Sequence, residues 1–195
     1  MDSKELKALW LSDLYRYSGD ITLKSFVKCI LLIPGFRYSF YMRSCSFLYK
    51  KNPLFTLFFI PFILLLMHCG RKYGISIPFK TEIGKGFYIG HFGTIVVSPL
   101  AVIGDNCNIS QGVTIGVANR GKNKGYPSIG KNVYIGPGAK IFGSIKIGNN
   151  VAIGANCVVT KDVPDNAVVV GVPGKVISYE GSKGYVNHTE YPIYS

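Results

Sequence analysis

An isoleucine or valine returns every six residues through the second half of this chain. Ile83 and Ile89 open the series, and after a two-residue slip it resumes at Val97, Ile103, Ile109 and Ile115. A longer interruption follows, and the pattern then runs unbroken through Ile129, Ile135, Ile141, Ile147, Ile153 and Val159. Glycine follows most of them, as at Ile103-Gly104, Ile115-Gly116, Ile129-Gly130 and Ile153-Gly154. A helix repeats near 3.6 and a strand alternates at two, so neither element alone produces this period. A fixed short period marks a solenoid, in which each repeat is stable only when stacked on its neighbours. Repeats of the form aliphatic-Gly-x-x-small-x predict a left-handed parallel β-helix with three short faces and about 18 residues per coil. The aliphatic residue points inward, glycine permits the corner, and the small residue packs beneath the aliphatic side chain. The fold class is therefore mainly β, with a β-helix of about four to five coils.

The first third has a different pattern. Residues 5–17 predict a short amphipathic helix, and a second is expected over 22–33, stopping before Pro34-Gly35. From Arg37 to Lys51, aromatic residues (Tyr38, Phe40, Tyr41, Phe47, Tyr49) alternate with basic ones. The most apolar stretch, Pro53 to Met67, is interrupted by Pro61 and falls short of the roughly 20 residues a spanning helix needs. Lys50-Lys51 and Arg71-Lys72 flank it on both sides, so no charge asymmetry supports a crossing. This composition points to a segment lying in the headgroup layer of an anionic membrane, on the inner face of the cell membrane. The competing reading packs these helices on the solenoid or in an oligomer interface. The expected organisation is an N-terminal helical region over 1–75, the β-helix over 76–179 with an extended loop at 117–126, and a tail over 180–195.

Charge narrows the partners. There are 22 Lys and Arg against 10 Asp and Glu, a net charge of +12, which favours an anionic partner. Nucleic acid is not expected, since no helix-turn-helix pattern, zinc-finger spacing or aromatic RNA-binding motif is present. Five scattered cysteines, at 29, 45, 69, 107 and 157, read as reduced thiols of a cytoplasmic protein. Cys107 and Cys157 sit at the small position of the repeat, where Val113, Val133, Ala139 and Val151 also sit, and read as core fillers. The polar, partly acidic start does not read as a cleavable signal peptide.

Six ordered segments carry a more specific resemblance. They are Gly93-Thr94-Ile95-Val96-Val97, Ala101-Val102-Ile103-Gly104-Asp105, Ser110 to Gly116, Ile135 to Lys140, Val159 to Pro164, and Gly171-Val172-Pro173-Gly174-Lys175. Across residues 83 to 178 the chain resembles the hexapeptide-repeat acyltransferases, and within them the serine acetyltransferase branch. That resemblance implies a homotrimer, with further pairing of trimers a possibility, active sites between adjacent solenoids, and acetyl-CoA lying along the groove. It also implies that the loop Val117–Tyr126 projects to help close a neighbouring site.

His91 is the single histidine of the repeat region, and it aligns with the family's catalytic histidine. Transfer to an alcohol needs a base, and imidazole titrates in the useful range. The resemblance makes His91 the general base, with direct attack on the thioester and no acyl-enzyme. For CoA, family positions point to Gly116, Gly136, Ala139, Gly154 and Ala155, with Lys140, Lys161 and Lys175 available for its phosphates. Phe92 and Tyr126 are candidates for the acceptor side, and Glu82 or a backbone carbonyl for orienting His91. No metal is expected: a γ-type carbonic anhydrase shares the scaffold but needs three zinc-binding histidines.

Three departures from the serine acetyltransferase pattern bear on the acceptor. Gly90 replaces the aspartate that precedes the histidine, Ser76 replaces a second aspartate fifteen residues before it, and Gly125-Tyr126 replaces an Arg-His pair before Pro127. Losing charge-assisted contacts to a zwitterion costs about 1.5–3 kcal/mol each. The expectation is therefore a neutral hydroxyl on a sugar, with the chain resembling capsular or O-antigen polysaccharide O-acetyltransferases. The alternatives are a serine O-acetyltransferase of cysteine biosynthesis and a non-catalytic, membrane-associated scaffold.

Overall fold

The computed structural model describes residues 2–49 and 56–192; the expected basic pair Lys50-Lys51 and the first residues of the apolar stretch lie outside them. The solenoid has three faces of short strands. The first stacks β1 (Ile75–Ser76), β4 (Ile95–Val97), β7 (Thr114–Gly116), β10 (Lys140–Phe142) and β13 (Val158–Val159). The second stacks β2 (Glu82–Ile83), β5 (Val102–Ile103), β8 (Ser128–Ile129) and β11 (Lys146–Ile147). The third stacks β3 (Tyr88–Ile89), β6 (Asn108–Ile109), β9 (Tyr134–Ile135), β12 (Ala152–Ile153) and β14 (Val168–Val170). These pairs are all parallel, and together they form the expected left-handed β-helix. The chain then reverses, and β15 (Lys175–Ser178) runs antiparallel to β14.

Register shows where the repeat holds and where it breaks. Ile129 pairs with Ile147 and Ile135 with Ile153, the expected coil of eighteen. Ile89 pairs with Ile109 at twenty, and Ile109 with Ile135 at twenty-six. The two extra residues fall between β3 and β4, the eight extra ones between β7 and β8. Elsewhere the repeat aliphatics and the small residues beneath them, Cys107 and Cys157 included, line a continuous buried core.

One corner carries a device that six-residue counting does not show. Asn106, Asn132, Asn150 and Asn166 all have positive φ between the second and third faces. Their carboxamides bond in a ladder: Asn106 donates to Asn132 at 2.9 Å, Asn132 to Asn150 at 2.9 Å, and Asn150 to Asn166 at 3.1 Å. Asparagine suits this place because it tolerates the left-handed region and its side chain both donates and accepts.

Helices α1 (Ser3–Ser18), α2 (Leu23–Leu32), α3 (Pro34–Tyr49) and α4 (Thr56–Tyr73) precede the coils. Capping fixes the start of α1: Asp2 accepts from the Glu5 amide while Glu5 reaches back to the Asp2 amide. Thr22 caps α2 in the same sense. The aromatic and basic stretch from Arg37 is helical, starting at Pro34, a residue suited to a helix's first position.

The first coil has no coil before it, so the backbone along its outer edge needs other partners. Helices α1 and α3 supply them. Asp13 accepts from the Phe87 amide at 2.8 Å, Ser12 from the Gly86 amide at 3.1 Å, and Tyr17 from the Ile89 amide at 2.8 Å. Arg43 donates to the Ile83 carbonyl at 2.8 Å and the Gly84 carbonyl at 2.6 Å, and pairs with Asp13 at 2.9 Å. The Tyr38 hydroxyl both donates to and accepts from the backbone of Ile77. Gly35 lets α3 approach β3, because a Cβ there would lie 2.4 Å from the Ile89 carbonyl oxygen.

The packing reading therefore holds for α1 and α3. Among the described residues no helix is long and apolar enough to cross a membrane. Helices α2 and α4 bury one side and leave Leu23, Leu31, Leu32, Leu57, Phe58 and Leu64 exposed. The C-terminal tail is also placed: Asn108 donates to the Tyr185 carbonyl, Ser182 to the Asn132 carbonyl, and Tyr134 stacks on Tyr185.

Candidate active site

His91 occupies the corner between β3 and β4, where the two extra residues enter the coil. The lengthened corner turns through Gly93 at φ +118 and Thr94 at φ +52, and His91 on it is exposed. Its Nδ1 lies 3.3 Å from the Phe92 carbonyl oxygen, and its ring stacks on Phe92, which packs in turn against Tyr73 of α4. Two helical contacts hold the corner. Tyr17 clamps the Ile89 backbone from one side, and the Gly74 carbonyl accepts from the Ile95 amide on the other. Sequence spacing did not mark Tyr17 or Tyr73; they reach the site only through packing of the helices.

The same corner recurs in each coil above. It carries Gln111, then Gly136-Pro137, then Gly154-Ala155; Gln111, Pro137 and Ala155 stand in register with His91 through the stack of β3, β6, β9 and β12, and Gly136 and Gly154 in register with Gly90. At about 4.8 Å per strand, Gly154 stands roughly 14 Å from His91 along the axis. Of the expected cofactor residues, Ala155 is exposed and Gly154 half-buried at the corner His91 also occupies, whereas Gly136 is buried, its amide donating to the Ile153 carbonyl and its carbonyl accepting from the Ala139 amide.

The others are placed differently. Gly116 and Lys161 lie at the opposite end of the first face, at the corner where the 117–126 loop leaves. That loop folds back on its own solenoid: Ala118 bridges to Gly125, and Asn123 donates to the Thr160 carbonyl at 3.0 Å. Tyr126 is exposed at its base. Ala139 has no exposed surface, and its amide and carbonyl are taken by Gly136 and Thr114, so the structure withdraws it from the cofactor surface. The Lys140 ammonium donates to the Gly112 carbonyl at 2.5 Å and to the Thr114 hydroxyl at 3.0 Å, which ties it to the first face rather than freeing it for phosphate. Lys175 is exposed on β15. Glu82 sits on the second face, opposite the His91 corner, so within one protomer the Phe92 carbonyl, not Glu82, orients the imidazole.

The cysteines are all free and buried. Burial pushes the Cys107 thiol up to about 12, so it is neutral and no nucleophile near pH 7. Among the described residues no cluster of His, Cys, Asp and Glu is arranged to hold a metal ion.

A parallel β-helix stacked from six-residue repeats, with one exposed histidine at a lengthened corner, is the architecture of the hexapeptide-repeat acyltransferases. Residues 126–161 match the bacterial transferase hexapeptide (six repeats) family. The chain is 36% identical to a serine acetyltransferase of Synechococcus elongatus over 179 residues, covering 90% of this chain and 70% of that one. It is 34% identical to a serine acetyltransferase of Bacillus pumilus, covering 90% of this chain and 80% of that one. A solved serine acetyltransferase in complex with CoA superposes with a TM-score of 0.72 at 28% identity, over 90% of this chain and 71% of that one. The chain belongs to the serine acetyltransferase family. It is an acyltransferase and takes acetyl-CoA as its acetyl donor.

These relatives correct the expected acceptor. Sugar O-acetylation rested on three missing charged positions, whereas the similarity extends over nine-tenths of the chain and leads to enzymes named for serine. The non-catalytic scaffold gives way with it.

Proposed function

We propose that the chain acetylates the side-chain hydroxyl of L-serine. His91 takes the hydroxyl proton, the oxygen attacks the thioester carbonyl, the carbon–sulfur bond breaks, and the proton passes from His91 to the departing thiolate. The products are O-acetyl-L-serine and CoA. The observation that carries this reading is the exposed His91 at the corner shared with Gly154 and Ala155, in a chain 36% identical to a serine acetyltransferase. Thiol release from acetyl-CoA in the presence of L-serine tests it. His91→Ala is expected to lower kcat by about 10²–10⁴-fold with an unchanged melting temperature, since the ring is exposed. Serine-independent thiol release, or full activity in His91→Ala, overturns the reading.

Gly90 and Ser76 stand where the family pattern has aspartates, so the zwitterion loses charge-assisted contacts and the KM for serine is expected to be high. Gly90→Asp sharpens this. A Cβ at residue 90 has the Tyr88 ring at 3.2 Å as its nearest neighbour, so a side chain fits there once that ring gives by a few tenths of an ångström. The variant is expected to lower KM for serine by about tenfold, the effect of one such contact, and steady-state kinetics reads it.

The assembly proposed is a homotrimer with sites between adjacent solenoids. In one protomer the base faces open solvent, and a neighbouring solenoid supplies the missing wall. Light scattering should give about three times 21.4 kDa. A second reading, contact with the inner face of an anionic membrane, is favoured by the exposed Leu57, Phe58, Ile60, Leu64, Leu65 and Met67 of α4, followed by Arg71 and Lys72. Co-sedimentation with phosphatidylserine vesicles, absent with neutral ones, is its test.

A further inference from the structure

Two arginines of the helical layer are buried against the first coil, and only one of them has a carboxylate. Arg43 is paired with Asp13. Arg16, one turn further along α1 than Asp13 and 5% exposed, donates through Nε to the Gly86 carbonyl at 3.2 Å and through Nη2 to the Asn108 carboxamide oxygen. Its Nη1 is buried and has no hydrogen-bond partner. Asp13 does not compensate it, being engaged by Arg43, Ser39 and the Phe87 amide. Burial lowers the Arg16 pKa, and the groups that oppose this are tyrosines and Cys107 rather than any carboxylate. A guanidinium remains charged in proteins, so here the charge is buried with no carboxylate beside it among the described residues.

Beside Arg16 is a cavity of about 220 Å³. Tyr17, Tyr88, Asn108, Tyr185, Asn187 and His188 line the rest of it. None of these is acidic. The C-terminal tail forms the outer wall through Tyr185, Asn187 and His188, the last exposed and in edge contact with Tyr15. The pocket thus offers a buried cation, amide and ring N–H donors, and space for a few heavy atoms.

We propose that this cavity, at the junction of α1, the third face and the tail, binds a small oxyanion, a carboxylate or phosphate, on Arg16. The occupant supplies the missing counter-charge and ties the tail residues Asn187 and His188 to α1. The cavity shares Tyr17 with the support of the His91 corner but is not lined by His91, and the proposal does not depend on which hydroxyl the enzyme acetylates.

Thermal unfolding of the full chain in sodium acetate, in inorganic phosphate, and in chloride of matched ionic strength tests it. Acetate or phosphate is expected to raise the melting temperature saturably by about 5 °C over chloride, and the arm with the larger rise names the preferred class. Arg16→Met should abolish the increment. Asn187→Asp places a fixed carboxylate in the cavity; it should raise the melting temperature in chloride and remove the response to added anion, and it keeps the test valid if Arg16→Met does not fold. No increment over chloride in the unmodified chain would show a water-filled cavity and overturn the proposal. An increment that persists in Asn187→Asp would place the anion elsewhere and overturn it equally.

Discussion

In the solenoid, each inward position holds an aliphatic residue that its neighbours above and below also hold, and the hydrogen bonds run backbone to backbone from coil to coil. The helical layer is joined to the first coil by side chains that occur once each: Ser12, Asp13, Arg16, Tyr17, Tyr38 and Arg43. The difference follows from position. An interior coil finds its partners in copies of itself, whereas the terminal coil meets a surface that is not a copy, and its open edge must be satisfied residue by residue. That is why buried charge is concentrated at the junction and absent from the aliphatic core.

Asp13→Ala should break this comparison most severely. It leaves Arg43 buried without its partner and removes the acceptor for the Phe87 amide, at a cost of about 3–5 kcal/mol. Urea unfolding reads it directly, and a loss under about 1 kcal/mol would mean that the helices ride passively on the coils. Alkaline pH has a smaller, graded effect on both regions. Burial pushes Tyr38 and Cys45, at the junction, and Cys107, in the solenoid, up to about 12. Each group is held protonated in the folded state above its ordinary value, so its contribution is complete below about pH 9 and is lost as pH rises towards 12. Melting temperatures should be flat in this respect to pH 8 and fall steadily from pH 9 to 11. Asn150→Ala is the mildest test. It cuts the asparagine ladder in mid-solenoid and puts alanine at φ +55 but leaves the backbone bonds in place, and the expected loss is about 1–2 kcal/mol. A loss as large as that of Asp13→Ala would erase the distinction between repeated and unique support.

The candidate site was partly legible in the sequence. Gly136, Gly154 and Ala155 share the His91 corner because their positions follow the repeat, and a repeat can be counted. Ala139 and Lys140 follow it equally well, but counting does not say that position 139 faces inward with both backbone groups used, or that the Lys140 ammonium reaches back to Gly112. The acceptor was misjudged for a different reason. Three altered positions were weighted above a likeness that runs through the whole chain, helical layer included.

The six-residue period alone determined the β-helix, its core, its coil length and the two insertions that lengthen it, because a stacked repeat converts sequence spacing directly into spatial register; the shortening of the last coil to sixteen residues, from Ile153 to Val169, shows only in the strand pairing. The tertiary structure alone decided how the first coil is closed, which tyrosines steady the His91 corner, and that the C-terminal tail walls a cavity beside an uncompensated arginine. Those contacts join residues some 70 to 90 positions apart, such as Arg16 with Asn108 and Tyr17 with Ile89. No local pattern encodes such pairs; they exist only once non-repeating helices have packed against the open end of a repeating core.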